Sequence, residues 1–372
     1  VGIPVNTPFF GGNEKKYLME CIDSGWISSE GPFVKQFEDQ FASKMGRRYG
    51  VAVCNGSAAL DAAVAALRLM PGDEVILPAF TIISCAAAIV RAGLVPVLVD
   101  SDPETWNMTA EGVAQKITAK TKAIMVVHIY GLPVDMDPIL ALAKQYDLKI
   151  IEDAAQMHGQ TYHGKSCGSF GDISTFSFYP NKHITTGEGG MILTDDLELA
   201  TRCRSLRNLC FKEEDRFVHD ELGWNLRMTN LQAALGLAQL EQLDHFVLRK
   251  REIGAAYGGA FSEVAQVQLP LETTSYADNI YWVFGMVLKD QRSAKQVMEK
   301  FREKGIGTRP FFFPMHLQPV FQKMGLFLGE TYPVAEWLYE KGFYIPSGLG
   351  LLQEDQADVI KISKFILASI DE

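Results

Sequence analysis

Between residues 50 and 195 the chain alternates short apolar, β-rich runs with stretches of helical periodicity. The runs are VAVC (51–54), EVILP (74–78), VPVLVD (95–100), KAIMVVH (122–128), LKIIED (148–153), ISTFSF (173–178) and GMILTD (190–195). Helical segments lie between them: SAALDAAVAALRLM (57–70), SCAAAIVRA (84–92), TAEGVAQKI (109–117) and MDPILALAKQY (136–146). Near-continuous apolar strands joined by helical crossovers predict a mostly parallel central sheet covered on both faces, the mark of an α/β fold. Ligands of such sheets bind beyond the carboxyl ends of the strands. Phe80, His128 and Asp153 fall at or just past predicted strand ends. One long helix is predicted over 229–261, with Leu231, Leu235, Ala238 and Leu240 on its apolar face. A smaller α+β unit follows, with a strand at 281–288, a glycine-capped helix at 293–305 and a terminal helix at 354–370. The pattern divides the chain into a large α/β domain over 1–245, including the N-terminal segment, and a small C-terminal α+β domain over 246–372.

Composition narrows the function classes. The chain has 372 residues, 47% of them hydrophobic and 22% charged, enough for a sizeable core. A net charge of −10 argues against a nucleic-acid-binding surface, which calls for a basic stripe. A local basic pocket for a small anion remains compatible with it. The cysteines (Cys21, Cys54, Cys85, Cys167, Cys203, Cys210) form no CxxC pair and no Cys/His cluster with zinc spacing, so no metal site is expected. They read as reduced, structural thiols of a cytoplasmic protein. VGIPVNTPFFGG has no basic stretch leading into an apolar one, so no signal peptide is expected. Arg91, Gly93 and Pro96 interrupt the longest apolar runs well short of a membrane span.

Candidate chemistry gathers around FSFYPNKHITTGEGGM (176–191). A lysine just past a strand, with an acid delivered from a neighbouring strand end, suits pyridoxal 5′-phosphate (PLP). Lys182 can form a Schiff base with the aldehyde, and Asp153 can pair with the pyridinium nitrogen. In VAVCNGSAAL (51–60) a strand turns at Gly56 into a helix whose first amides, at Ser57 and Ala58, suit a phosphate. The same segment also reads as a plain strand–turn–helix with Ser57 as N-cap. Phe80 is either a ring that stacks on the pyridine or a core phenylalanine. Asp153 is either the pyridinium partner or a cap for the following turn. Gln156 can donate to the phenolic oxygen, and Ser177 faces opposite Phe176 and Phe178, toward the phosphate. His183 receives no role.

These features resemble the fold-type I PLP aminotransferases, and within them the sugar-nucleotide aminotransferases of the DegT type. The resemblance runs over essentially the whole chain. It is carried by SGWISSEGPFVKQFE (24–38), NGSAALDAA (55–63), LPAFT (77–81), EDAAQMHG (152–159), the Lys182 segment, GWNLRMTNLQAALGLAQLE (223–241) and GTRPFFFPMH (307–316). It implies Lys182 as the Schiff-base lysine, Asp153 at the ring nitrogen and Gln156 at the ring hydroxyl. Phe80 would stack on the ring, and Gly56, Ser57 and Ser177 would hold the phosphate. Asn225 would reach the phosphate across the interface of a homodimer. Trp26, Arg309 and His316 fall in segments that resemble sugar-nucleotide contacts, although Trp26 also reads as core and His316 as a satisfied structural histidine. Relatives that act as dehydratases carry histidine in place of the lysine, and this chain has Lys182. The resemblance implies L-glutamate as amino donor, pyridoxamine 5′-phosphate as intermediate and a nucleotide-linked keto sugar as acceptor. Within the family the closest likeness is to members that aminate C4 of a GDP-linked 4-keto-6-deoxymannose. UDP- and dTDP-linked keto sugars stay open, because no residue argues chemically for guanine.

Overall fold

Every apolar run between residues 50 and 195 forms a strand in the computed structural model, which describes residues 2–212 and 214–368. The large domain contributes β1 (Tyr49–Val53), β2 (Glu74–Pro78), β3 (Val95–Val99), β4 (Thr121–Val127), β5 (Lys149–Asp153), a small ribbon of β6 (Thr161–Tyr162) and β7 (Lys165–Ser166), then β8 (Ile173–Ser177) and β9 (Gly190–Thr194). Seven of these make the central sheet in the order β1-β9-β8-β5-β4-β2-β3. The pairs β2–β3, β2–β4, β4–β5 and β5–β8 are parallel. β9 alone runs the other way, antiparallel to both β8 and β1. The carboxyl ends of β1, β5 and β8 therefore share one edge of the sheet, and the 178–189 loop crosses that edge.

Both faces are dry because side chains alternate between two apolar layers. On β4, Ala123, Met125 and Val127 join one cluster and Ile124 and Val126 the other. The second domain has its own four-stranded antiparallel sheet, β10 (Val267–Gln268), β11 (Phe284–Leu288), β13 (Gly342–Ile345) and β12 (Arg309–Pro310), in the order β10-β11-β13-β12. Tyr257, Phe261, Phe284, Phe301 and Phe343 build a cluster on this sheet, while Trp282, Val287, Phe311 and Leu338 join the core of the central sheet. The first residues of the chain lie against this unit, where Ile3 bridges Ile306 and the Val5 carbonyl accepts from the Ser347 amide.

The helix predicted over 229–261 is two helices, Asn230–Leu240 and Leu243–Phe261. Its start was legible: Thr229 and Gln232 form a capping box. Its break was not, since neither Gly nor Pro marks it. Glu241, at the break, accepts from Asn13 Nδ2 (2.7 Å) and Tyr17 Oη (2.6 Å), so tertiary bonds to the first helix occupy that position. The terminal helix spans Gln353–Ala368, and residues 369–370 of the predicted segment lie outside the described residues.

Candidate active site

At the shared strand edge a cavity of about 330 Å³ opens. It is bordered by Gly56 and Ser57 after β1, Asp153 at the end of β5, Ser177 at the end of β8 and Lys182 in the loop beyond. A cleft of about 600 Å³ between Gln266 and Lys289–Arg292 in the small domain contains none of these residues.

Gly56 opens the helix Gly56–Ala66, capped by Asn55, whose side chain accepts from the Ala58 amide at 2.8 Å. Two sequence expectations change here. The N-cap is Asn55 rather than Ser57, and the Ala58 amide is not free. The Gly56 and Ser57 amides keep no acceptor among the described residues, as the first turn of a helix dictates. Gly56 is also not required for a left-handed turn. It is required for a close approach, because a Cβ there would lie 2.7 Å from Ser177 Cβ. Helix start and Ser177 thus meet with no side chain between them. Ser57 Oγ and Ser84 Oγ, 2.7 Å apart, complete a polar corner.

Asp153 is buried. Its Oδ1 accepts from the Ala155 amide at 3.0 Å and its Oδ2 from Cys85 Sγ at 3.2 Å. Burial raises its pKa, opposed by those two donors and by the positive charge of Lys182. Lys182 borders the cavity with its Nζ 3.7 Å from the centroid of the Trp282 ring. Burial pulls its pKa from 10.5 down to about 7, against the pull of Asp153. Gln156 Oε1 accepts from the Tyr130 amide, which leaves its amide nitrogen to donate toward the cavity.

Four expected residues lie elsewhere. Phe80 is fully buried behind the wall, ring against Tyr130, Phe311 and Phe312, and of these Phe312 borders the cavity. Ile82, two residues on, borders the cavity and is exposed. His316 is buried with Nε2 on Glu336 Oε1 at 2.9 Å and its ring edge-on to Tyr332, so it faces away from the cavity. Trp26 is half-exposed in a separate groove with Lys16, Tyr17 and Asn230. Asn225 is exposed and its Oδ1 accepts from Arg227 Nε at 3.0 Å. Arg309 lies nearer, exposed on β12 opposite Tyr344, which borders the cavity.

Sequence reasoning missed Ser84, Tyr179, Asn181, Trp282 and Tyr344, all of which border the cavity. The last two come from the second domain, and no local pattern announces a residue that arrives from there.

Just behind Asp153, Glu152 points to the opposite face. It accepts from His128 Nε2 (3.0 Å) and from the Gly168 and Phe170 amides, while His128 Nδ1 accepts from the Val134 amide at 3.0 Å. Cys167 lies within ligand distance of both. Protein groups already take both carboxylate oxygens and both ring nitrogens, so the cluster ties the 167–170 loop to the sheet.

The cavity fits PLP. Two open amides and Ser177 offer a phosphate site, a buried carboxylate waits for a cation, and an amine stands opposite. Two buried polar atoms on the cavity wall, Thr175 Oγ1 and Asn181 Oδ1, have no partner among the described residues.

Residues 9–364 match the DegT/DnrJ/EryC1/StrS aminotransferase family. A protein named GDP-perosamine synthase from Escherichia coli O157:H7 is 43% identical, with 95% of each chain covered. One of the same name from Caulobacter vibrioides (strain ATCC 19089 / CIP 103742 / CB 15) is 41% identical, with 96% of each covered. Among solved structures, the PLP form of the putative sugar aminotransferase Spr1654 from Streptococcus pneumoniae superposes with a TM-score of 0.91 at 25% identity, with 99% of each chain covered. The chain belongs to the DegT/DnrJ/EryC1/StrS aminotransferase family, whose members use PLP.

Proposed function

We propose that this aminotransferase moves the amino group of L-glutamate to C4 of a GDP-linked 4-keto-6-deoxymannose, giving GDP-perosamine. The observation that carries the reading is one cavity holding the Lys182 amine, the Asp153 carboxylate and the open helix start at Gly56. Relatives of that name at 43% and 41% identity, matched over 95% and 96% of each chain, support the sugar nucleotide. Bound PLP supplies an electron sink for the carbon that gains or loses the amine.

The chain's own residues do the rest. The Gly56 and Ser57 amides and the Ser177 hydroxyl hold the phosphate at the positive end of the helix. Asp153 stays charged against a ring cation and fixes its orientation. Lys182, with a pKa near 7, is substantially neutral at neutral pH, so it can take a proton from the donor carbon and return it on the other side of the reaction. Trp282, Phe312 and Tyr344 exclude water from that path. Arg309 at the rim suits a diphosphate. Asn225 and Trp26, which do not border this cavity, act in a homodimer that brings them from the partner subunit to complete the site.

Two measurements test this. Purified protein with glutamate and a panel of GDP-, UDP- and dTDP-linked keto sugars should convert the GDP-linked 4-keto sugar, gaining one amino group by mass, with one 2-oxoglutarate formed per amine. Amination confined to a UDP or dTDP sugar would reassign the substrate, and ammonia release without 2-oxoglutarate would replace transamination with a lyase reaction. Lys182→Ala should retain cofactor without a borohydride-trapped bond and should not turn over.

A further inference from the structure

We propose that Trp282 is a positioning residue for Lys182, giving its free amine a defined seat on the indole face and pinning the turn that carries it through the indole N–H. The inference rests on the reading of Lys182 as the cofactor lysine and extends it to how that lysine is held when its amine is not bonded to the cofactor.

Three contacts converge. Lys182 Nζ sits 3.7 Å from the Trp282 ring centroid, well inside the range of a cation–π contact. Trp282 Nε1 donates to the carbonyl of Asn181, the residue just before the lysine, at 2.7 Å. The Trp282 carbonyl in turn accepts from Lys250 Nζ at 2.9 Å, and the same ammonium also donates to the Ser347 carbonyl. Trp282 is 5% exposed, so its ring cannot swing away without opening the cavity wall.

The turn around the lysine is pinned at successive carbonyls. Asn6 Nδ2 donates to Pro180 O at 3.0 Å, the Lys182 amide to Tyr179 O at 2.9 Å, and Trp282 to Asn181 O. Two of these anchors, Asn6 and Trp282, come from segments packed on the small domain. The lysine is thereby coupled to the docking of one domain on the other. A free lysine side chain with four rotatable bonds would otherwise sample many positions between proton transfers.

The groups that face the amine are known. Asp153 approaches from β5, His158 and His183 lie on the large-domain side, Tyr344 comes from β13, and Lys250 stands behind the Trp282 backbone. Burial drives His158 down to about 3 and His183 well below its usual range, while Tyr344 is pushed up to about 12. Neither histidine nor the tyrosine changes charge near neutrality. Lys250, which burial pulls down to about 7, does, but it is bonded to the Trp282 backbone carbonyl that both variants keep, so a difference between the Leu and Phe variants reports the ring.

The test uses full-length, cofactor-free protein. Lys182 is labelled with acetic anhydride across pH, and its modification is followed by peptide mass. Trp282→Leu keeps an apolar wall but removes the π face, so the labelling midpoint should fall by roughly half a pH unit or more as the ammonium loses its partner. Trp282→Phe keeps a face and should leave the midpoint in place. It loses the N–H, so backbone amides of 178–184 should exchange hydrogen faster. A Leu variant whose midpoint stays or rises overturns the seat, and a Phe variant with unchanged exchange overturns the pin. Neither readout involves a sugar or turnover. Failure of the wild type to aminate any sugar nucleotide would therefore reject the proposed substrate and leave this test standing.

Discussion

Replacing Gly56 with alanine tests the phosphate cradle directly. The new Cβ would lie 2.7 Å from Ser177 Cβ, 3.1 Å from its Oγ and 3.3 Å from its Cα. A comfortable carbon–carbon contact is about 3.5–4.0 Å, so the two elements must separate by most of an ångström. Neither yields easily. Asn55 caps the helix, and Ser177 is registered against Gly190, where an added Cβ would itself meet Asn55 O at 2.5 Å. Overpacking of this kind costs about 1–3 kcal/mol, offset by up to about 1 kcal/mol for replacing glycine in a helix. The protein should therefore fold, with a small drop in its urea midpoint. Function should suffer more, because the shift parts the two open amides from the Ser177 hydroxyl. Losing one hydrogen bond to a charged phosphate costs about 1.5–3 kcal/mol, roughly 10- to 150-fold in PLP affinity. The assay is an absorbance titration of cofactor-free protein with PLP and, in parallel, with pyridoxal, which lacks the phosphate. PLP binding should weaken while pyridoxal binding stays nearly unchanged. Equal losses for both, or no loss for PLP, would refute the cradle.

Other substitutions separate the site from its scaffold. Asp153→Asn removes the charge that holds the Lys182 pKa up, so the acetylation midpoint of Lys182 in cofactor-free protein should move below about 7. Because the neutral amine is the reactive form, labelling at pH 6 should speed up, and slower labelling would contradict the electrostatic coupling. Glu152→Leu strips His128 and two backbone amides of their acceptor in a dry interior. It should cost about 3–5 kcal/mol in urea unfolding, whereas a loss near zero would mean the cluster is not the anchor described. Phe80→Leu, behind the cavity wall, should cost about 1–3 kcal/mol of stability through the gap it leaves, and leave PLP affinity intact. A selective loss of cofactor binding would restore Phe80 to the site.

What the sequence disclosed follows a physical line. β4 reads from its nearly unbroken apolar run, because both of its faces are buried. Asp153 stood out because a carboxylate ending an apolar run must find a partner, and Lys182 because it follows such a run just before a glycine- and threonine-rich stretch; the fold brings both to one cavity. For Phe80 and His316 the sequence left a site role and a structural one open. Their types suit a site, but their directions depend on where a strand stops and which domain packs behind it. Phe80 lies past the end of β2 with Phe311 and Phe312 against it, and those two arrive from more than two hundred residues away. Trp282 and Tyr344 were invisible for the same reason.

The reversed strand explains why the lysine sits where it does. A parallel β9 would have to start at the opposite edge of the sheet, so the connection would cross the sheet, usually as a helix, and carry the chain away from this edge. Running β9 antiparallel lets the 178–189 loop stay at the carboxyl edge and return at once beside β8. Gly189 and Gly190 make that return possible, because a Cβ on either would strike Thr186 Oγ1 or Asn55 O at 2.1 and 2.5 Å. The loop is thus pressed on one side against the β1 turn that offers the helix amides, and on the other against Trp282 from the second domain. One change of strand direction brings the proposed phosphate site, the carboxylate and the amine within one cavity, and makes the lysine's position depend on contacts from both sheets' surroundings.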